Sequence, residues 1–189
     1  MTPPDPAGRI LVVCYGNLCR SPMAEGLLAD RLEDWMVRSA GTNAVAGDAP
    51  TVKGQQVMRE DYDIDISQQR SSPLTVSAIE AADYVFTMSV DQARLVAALA
   101  HGAGDRLRLF GAFAPAAEHS GRSADPGGAP ASLLEISDPI GGTVEQYRVT
   151  AARLARATDA VADWIEDGAD PNEAPATFST PGWPLTLRL

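Results

Sequence analysis

Two hydrophobic periods alternate along this chain. Arg9-Ile10-Leu11-Val12-Val13 is a short apolar, β-branched run between Gly8 and a glycine-containing turn, which predicts a strand buried on both faces. The spacing turns helical from Met23 to Leu32, with Pro22 in the tolerated first turn and Ser21 as the expected cap. Trp35 to Ser39 reads as a second strand ending at Gly41, and Asp83 to Met88 as a third. A weaker helix is expected from Pro50 to Tyr62 and another near Leu74 to Ala82. Ser89 is the expected cap of a helix from Val90 to Ala100, and Arg106 to Phe110 reads as a short fourth strand. Val144, Tyr147, Ala151, Leu154, Thr158, Val161 and Ile165, spaced three and four apart, form the apolar stripe of a long closing helix. Strands alternating with helices predict an α/β fold: one doubly wound domain, a central four-stranded parallel sheet with helices on both faces.

Residues 111–131 break the regularity. They are mostly alanine, glycine, proline and serine, the composition of a long loop with at most a short helical piece. The tails are rich in proline, so 1–7 reads as a flexible N-terminal arm, 8–167 as the domain and 168–189 as a Pro-rich C-terminal tail. That tail also carries Phe178, Trp183, Leu185, Leu187 and Leu189, more apolar material than a solvated arm needs. Docking on the body or on a second subunit is the alternative.

Composition narrows the chemistry. The chain has 25 Asp and Glu against 15 Lys and Arg, a formal charge of −10, so neither nucleic acid nor a membrane surface is an expected partner. No apolar run reaches the roughly 18 residues of a membrane helix, and the N-terminus lacks a basic start followed by an apolar stretch. A soluble, cytoplasmic protein is expected. Cys14 and Cys19 are too few for a disulfide scaffold, and His101 and His119 leave little for a zinc site, so no metal or cofactor is expected. Both histidines read as surface residues, and the cluster Glu60, Asp61, Asp63 and Asp65 as a solvated face.

The candidate chemistry lies in the turn from first strand to first helix, Val13-Cys14-Tyr15-Gly16-Asn17-Leu18-Cys19-Arg20-Ser21-Pro22. Open α/β sheets place their ligands at such turns. Inward-pointing N–H groups of the loop, with the positive end of the following helix, make an anion cradle. At its base, Cys14 would have its thiolate favoured by the same donors, which makes it a nucleophile. Arg20 can fork two hydrogen bonds to a bound phosphate, and Ser21 can donate its hydroxyl to the thiolate and steady it as a leaving group. Gly16 and Asn17 both tolerate the positive φ that a tight anion loop requires. Tyr15 points either into the substrate mouth or onto the surface. Cys19 on its own reads as a small apolar filler.

The string from Cys14 through Glu25 resembles the nucleophile loop of the low-molecular-weight protein tyrosine phosphatases. The likeness continues through Arg38-Ser39-Ala40-Gly41, Ser71-Ser72-Pro73-Leu74-Thr75 and Asp138-Pro139-Ile140-Gly141-Gly142, over roughly residues 9–167. The resemblance implies a cysteine-dependent, metal-independent phosphatase with a phosphate-binding loop of Tyr15, Gly16, Asn17, Leu18, Cys19 and Ser21. In it Cys14 attacks phosphorus to form a cysteinyl-phosphate, Arg20 holds the equatorial oxygens, and an Asp-Pro aspartate protonates the leaving group. Of four Asp-Pro pairs, Asp5 and Asp170 lie in the tails and Asp125 in the Ala/Gly/Pro loop. Asp138 follows the apolar Leu133-Leu134-Glu135-Ile136 and leads into the closing helix, as the family's acid does, so it is the expected acid. The resemblance also offers Cys19 as a redox partner that forms a reversible disulfide with Cys14.

Two signals on substrate conflict. Ile140-Gly141-Gly142 after the Asp-Pro pair, in place of the aromatic residues common in tyrosine-selective members, resembles the bacterial branch that includes protein arginine phosphatases. Those arginine phosphatases, however, carry threonine where this chain has Leu18, and a branched apolar side chain crowds phosphoarginine. Phosphotyrosine is the favoured substrate and phosphoarginine the alternative. Arsenate reductases share the fold and loop but relay a disulfide through further cysteines, and this chain has none after Cys19. A non-catalytic phosphate-binding module would lack nucleophile, arginine or acid, and all three are present. The implied partners are phosphorylated proteins and a bacterial tyrosine kinase.

Overall fold

A computed structural model describes residues 5–114 and 134–169. The expectations for residues 1–4, for most of the Ala/Gly/Pro loop with His119 and Asp125, and for the tail with Asp170, Phe178, Trp183 and its leucines lie outside these residues. β1 (Gly8–Cys14) is central in a parallel sheet of order β2-β1-β3-β4, with β2 at Trp35–Gly41, β3 at Tyr84–Thr87 and β4 at Leu107–Leu109.

The apolar run in β1 is continuous because both its faces are covered. Ile10, Val12 and Cys14 join a cluster with Met23, Leu28, Leu154 and Val161, closed by α1 (Arg20–Arg31) and α5 (Val144–Glu166). Leu11 and Val13 join a second cluster with Ile79, Val96 and Leu107, closed by α3 (Val76–Ala81) and α4 (Val90–Leu99). α2 (Val52–Tyr62) adds Val57 and Met58 to the first cluster. Each such fully buried aliphatic side chain stabilises the fold by about 1.5–3 kcal/mol. On α5 the predicted stripe is buried from Tyr147 to Ile165, with Val144 half-buried. A capping box starts that helix: Gln146 N–H donates to Thr143 Oγ1, and Thr143 N–H to Gln146 Oε1.

Several boundaries move for local reasons. Ser89 caps α4 as expected, accepting from Gln92 N–H at 3.3 Å. Ser21 does not cap α1. That helix begins at Arg20, so Ser21 sits in its first turn and its hydroxyl turns to Cys14 instead. α2 and α3 start later than their apolar residues suggest because Thr51 and Thr75 accept from Gly54 and Ala78 N–H and set the first turns. Phe110–Phe113 forms a short 3-10 turn with all four residues buried, so the front of the expected loop is core. His101 is exposed, and the acidic cluster is a solvated face in which Glu60 and Asp61 pair with Arg148 at 2.7 and 3.0 Å. Among the described residues no helix is long and apolar enough to cross a membrane.

β2 lies on one side of β1 and β3 on the other, so the winding reverses at β1. The crevice beyond its carboxyl end is therefore open to a ligand.

Candidate active site

Cys14 ends β1 and Arg20 begins α1, and the chain between them wraps tightly. Thr42 and Asn43 N–H groups hold the Cys14 and Tyr15 carbonyls at 3.0 and 2.8 Å. Gly41 allows that approach: a Cβ there would come within 2.6 Å of the Tyr15 oxygen and 2.8 Å of the Asn17 nitrogen. Of the two residues that tolerate positive φ, Asn17 takes the left-handed conformation, φ 54°, and Gly16 does not. One left-handed step closes the loop, and an asparagine can anchor it through its side chain whereas a glycine cannot.

The anchoring sets the direction of every hydrogen around the nucleophile. Asn17 is 1% exposed. Its amide nitrogen donates to Ser21 Oγ at 2.9 Å and to Ser39 Oγ at 2.7 Å, while its Oδ1 accepts from Ser72 N–H at 2.8 Å. Each hydroxyl oxygen receives a hydrogen from Asn17 and sends its own onward. Ser39 donates to Glu25 Oε2 at 2.5 Å, and Ser21 to Cys14 Sγ at 3.0 Å. The Asn17 backbone N–H reaches the same sulfur at 3.2 Å. Burial pushes the Glu25 carboxyl up, against the opposing Ser39 hydrogen bond and Arg38 charge.

Arg20 and Asp138 meet at the same end of the sheet. Ile136, 1% exposed, donates its N–H to the Met88 carbonyl at 2.9 Å just past β3, and so pins the segment that carries Asp138. Arg20 Nη1 donates to the Ile136 carbonyl at 3.1 Å, and Nη2 pairs with Asp138 Oδ2. Arg20 Nε is buried without a partner among the described residues. Asp138 Oδ1 accepts from Ile140 N–H at 3.1 Å.

These residues enclose a slot of about 300 Å³ with Cys14, Gly16, Leu18, Cys19, Arg20 and Asp138 in its lining. Tyr15, Val45 and Ile140, 57%, 72% and 56% exposed, form its apolar rim with Asp48 beside them. Tyr15 is thus both at the mouth and on the surface. Of the residues singled out in the sequence, Asn17 and Ser21 lie beneath the slot as supports and the others line it. Cys19 is 4% exposed, with Sγ 3.3 Å from the Tyr147 hydroxyl and 3.7 Å from that of Thr51. Burial pushes its thiol up, and burial with the Cys19 contact pushes Tyr147 up to about 12. Both cysteines are free thiols. Ser39, Ser72 and Glu25 had no assigned role in the sequence reading, because contacts reaching 22 and 55 residues along the chain leave no local signal.

The chain resembles many known proteins in sequence and in fold. The chain is 43% identical over 89 residues to a probable low molecular weight protein-tyrosine-phosphatase, EpsP, of Ralstonia solanacearum, covering 47% of this chain and 61% of that protein. It thus spans less than two thirds of that relative. A protein-arginine-phosphatase of Geobacillus stearothermophilus is 32% identical over 159 residues, 84% of this chain and 96% of that protein. Among solved structures, the YwlE arginine phosphatase of the same organism superposes with a TM-score of 0.70 at 31% identity, covering 85% of this chain and 94% of that one. The low molecular weight protein tyrosine phosphatase from T. tengcongensis gives 0.68 at 30%, covering 85% and 99%. A family model, low molecular weight phosphotyrosine protein phosphatase, matches residues 9–168, which takes in the thiol loop, Asp138 and the closing helix together: the chain belongs to that family.

Proposed function

We propose that this protein hydrolyses phosphotyrosine in proteins through a cysteinyl-phosphate on Cys14. The observation that carries the reading is a thiol 3.2 and 3.0 Å from two donors, at the base of a slot shared with Arg20 and Asp138. Donors so placed stabilise sulfur as an anion, both before attack and when it leaves. In the first step Cys14 sulfur bonds to phosphorus as the phosphorus–oxygen bond to the tyrosyl ring breaks. Asp138, protonated, passes its proton to that oxygen. Water then attacks phosphorus, Asp138 takes up a proton, and the sulfur–phosphorus bond breaks to give phosphate and the thiolate. The unpartnered Arg20 Nε is a donor left for a phosphoryl oxygen, and a dianion bound there competes with Asp138 for the guanidinium. Asp138→Asn is expected to lower kcat on phenyl phosphate by roughly a hundredfold and much less on p-nitrophenyl phosphate, whose leaving group hardly needs a proton. Equal losses on both would remove Asp138 from the acid's role.

Leu18, Tyr15, Val45 and Ile140 give the slot apolar walls suited to an aryl ring. The second reading, phosphoarginine, draws support from a relative matched over 96% of its length that is named a protein-arginine-phosphatase. Phosphotyrosine and phosphoarginine peptides assayed side by side separate the two. We expect the phosphotyrosine peptide to be preferred and Leu18→Thr to shift the ratio toward phosphoarginine; an unmoved ratio overturns the role given to Leu18. The substrates would be phosphoproteins made by a tyrosine kinase, in the cytoplasm, where a working thiol stays reduced.

Cys19 is proposed as the resolving thiol. Peroxide oxidises Cys14 to the sulfenic acid, and Cys19 sulfur displaces water to form the disulfide. Wild-type protein treated with peroxide is expected to regain activity with dithiothreitol, whereas Cys19→Ser is lost to irreversible oxidation. Equal recovery by both proteins would reduce Cys19 to core packing.

A further inference from the structure

A second cavity, of about 420 Å³, opens along the outer edge of β2, the edge strand of the sheet. Its lining includes Glu25 from α1, Arg38 and Ser39 from β2, and Gln69, Arg70 and Ser72 from the segment before α3. None of these residues lines the catalytic slot.

Charge at this cavity is unbalanced toward the positive. Ion pairs among the described residues engage Arg20, Arg31, Arg59, Arg94 and Arg148, but neither Arg38 nor Arg70. In a chain of net charge −10, two guanidiniums border one cavity against a single lining carboxylate, Glu25, and among the described residues neither has a carboxylate within ion-pair distance. Arg38 donates to the Val37 carbonyl at 3.1 Å, and Arg70 to those of Ser67 and Gln69 at 2.8 and 2.7 Å. Each guanidinium has five N–H donors, so most remain for an incoming acceptor.

We infer that this cavity binds a small phosphorylated metabolite. The phosphate takes the spare donors of Arg38 and Arg70. The volume lies within the range of small-molecule sites. The placement also couples the cavity to the catalytic loop, since two of the three side-chain partners of Asn17, Ser39 Oγ and Ser72 N–H, belong to residues of its lining. A molecule that immobilises them holds the amide that aims Ser21 at Cys14.

The test uses the full chain with its catalytic slot filled by vanadate, so that a phosphate compound has only the second cavity to enter. Titration with O-phosphoserine is expected to show one further equivalent by calorimetry and amide shifts at residues 38–40 and 69–72. Arg70→Ala is expected to weaken that binding by about tenfold or more while p-nitrophenyl phosphate turnover without ligand stays unchanged. No binding to the vanadate-filled protein, or binding that Arg70→Ala leaves intact, overturns the assignment.

Discussion

Cys14→Ser is expected to lower kcat on p-nitrophenyl phosphate by on the order of ten-thousandfold or more while the protein still folds and binds phosphate. The reason lies in what surrounds the atom. The Asn17 N–H and Ser21 hydroxyl are aimed at the side-chain position and would serve a serine oxygen as well as a sulfur. A hydroxyl, however, is intrinsically far weaker as a nucleophile than a sulfur, and no neighbouring base among its hydrogen-bond partners takes its proton. Steady-state kinetics together with phosphate affinity check both halves. Turnover surviving within tenfold of wild type would sink Cys14 as nucleophile.

Asn17→Asp is the second large effect, and it separates hydrogen-bond direction from mere packing. The carboxylate has the amide's shape but no hydrogens, so Ser21 and Ser39 lose the donor that fixes them. Ser21 then donates to the new carboxylate rather than to Cys14 Sγ. A loss in kcat of roughly a hundredfold to a thousandfold is expected, the scale of removing one donor from a site that stabilises an anion. The carboxylate can still accept from Ser72 N–H, but at a position 1% exposed its charge is costly to bury, so unfolding stability should fall by about 2–4 kcal/mol. Chemical denaturation and the pH dependence of Cys14 alkylation read the two effects separately. If alkylation by iodoacetate keeps its wild-type pH profile, the network packs the loop without tuning the thiol.

How much of this could be read beforehand divides by distance along the chain. The Ile10–Val13 run, the three- and four-residue spacing of α5 and the Ser89 cap are local patterns, and each is found where the residues placed it. Ser21 looked like a cap because its type and position before Pro22 fit one. It was drawn inside the helix because the nearby sulfur and Asn17 offered its hydroxyl two partners. Gly16 and Asn17 both tolerate a left-handed turn, and Asn17 takes it, since an anchored side chain holds that turn and a glycine adds only freedom.

The order of residues along the chain determined the alternation of strands and helices and the loop from Cys14 to Ser21, because each rests on neighbours within a turn or two. The tertiary structure decided which way the hydrogens run. Ser39, Ser72 and Glu25 come from three separate elements and acquire roles only when β2 lies beside β1 and the segment before α3 closes on Gly41. It also decided that Arg38 and Arg70 share a cavity, since charges 32 residues apart in sequence meet only where an edge strand leaves room between them.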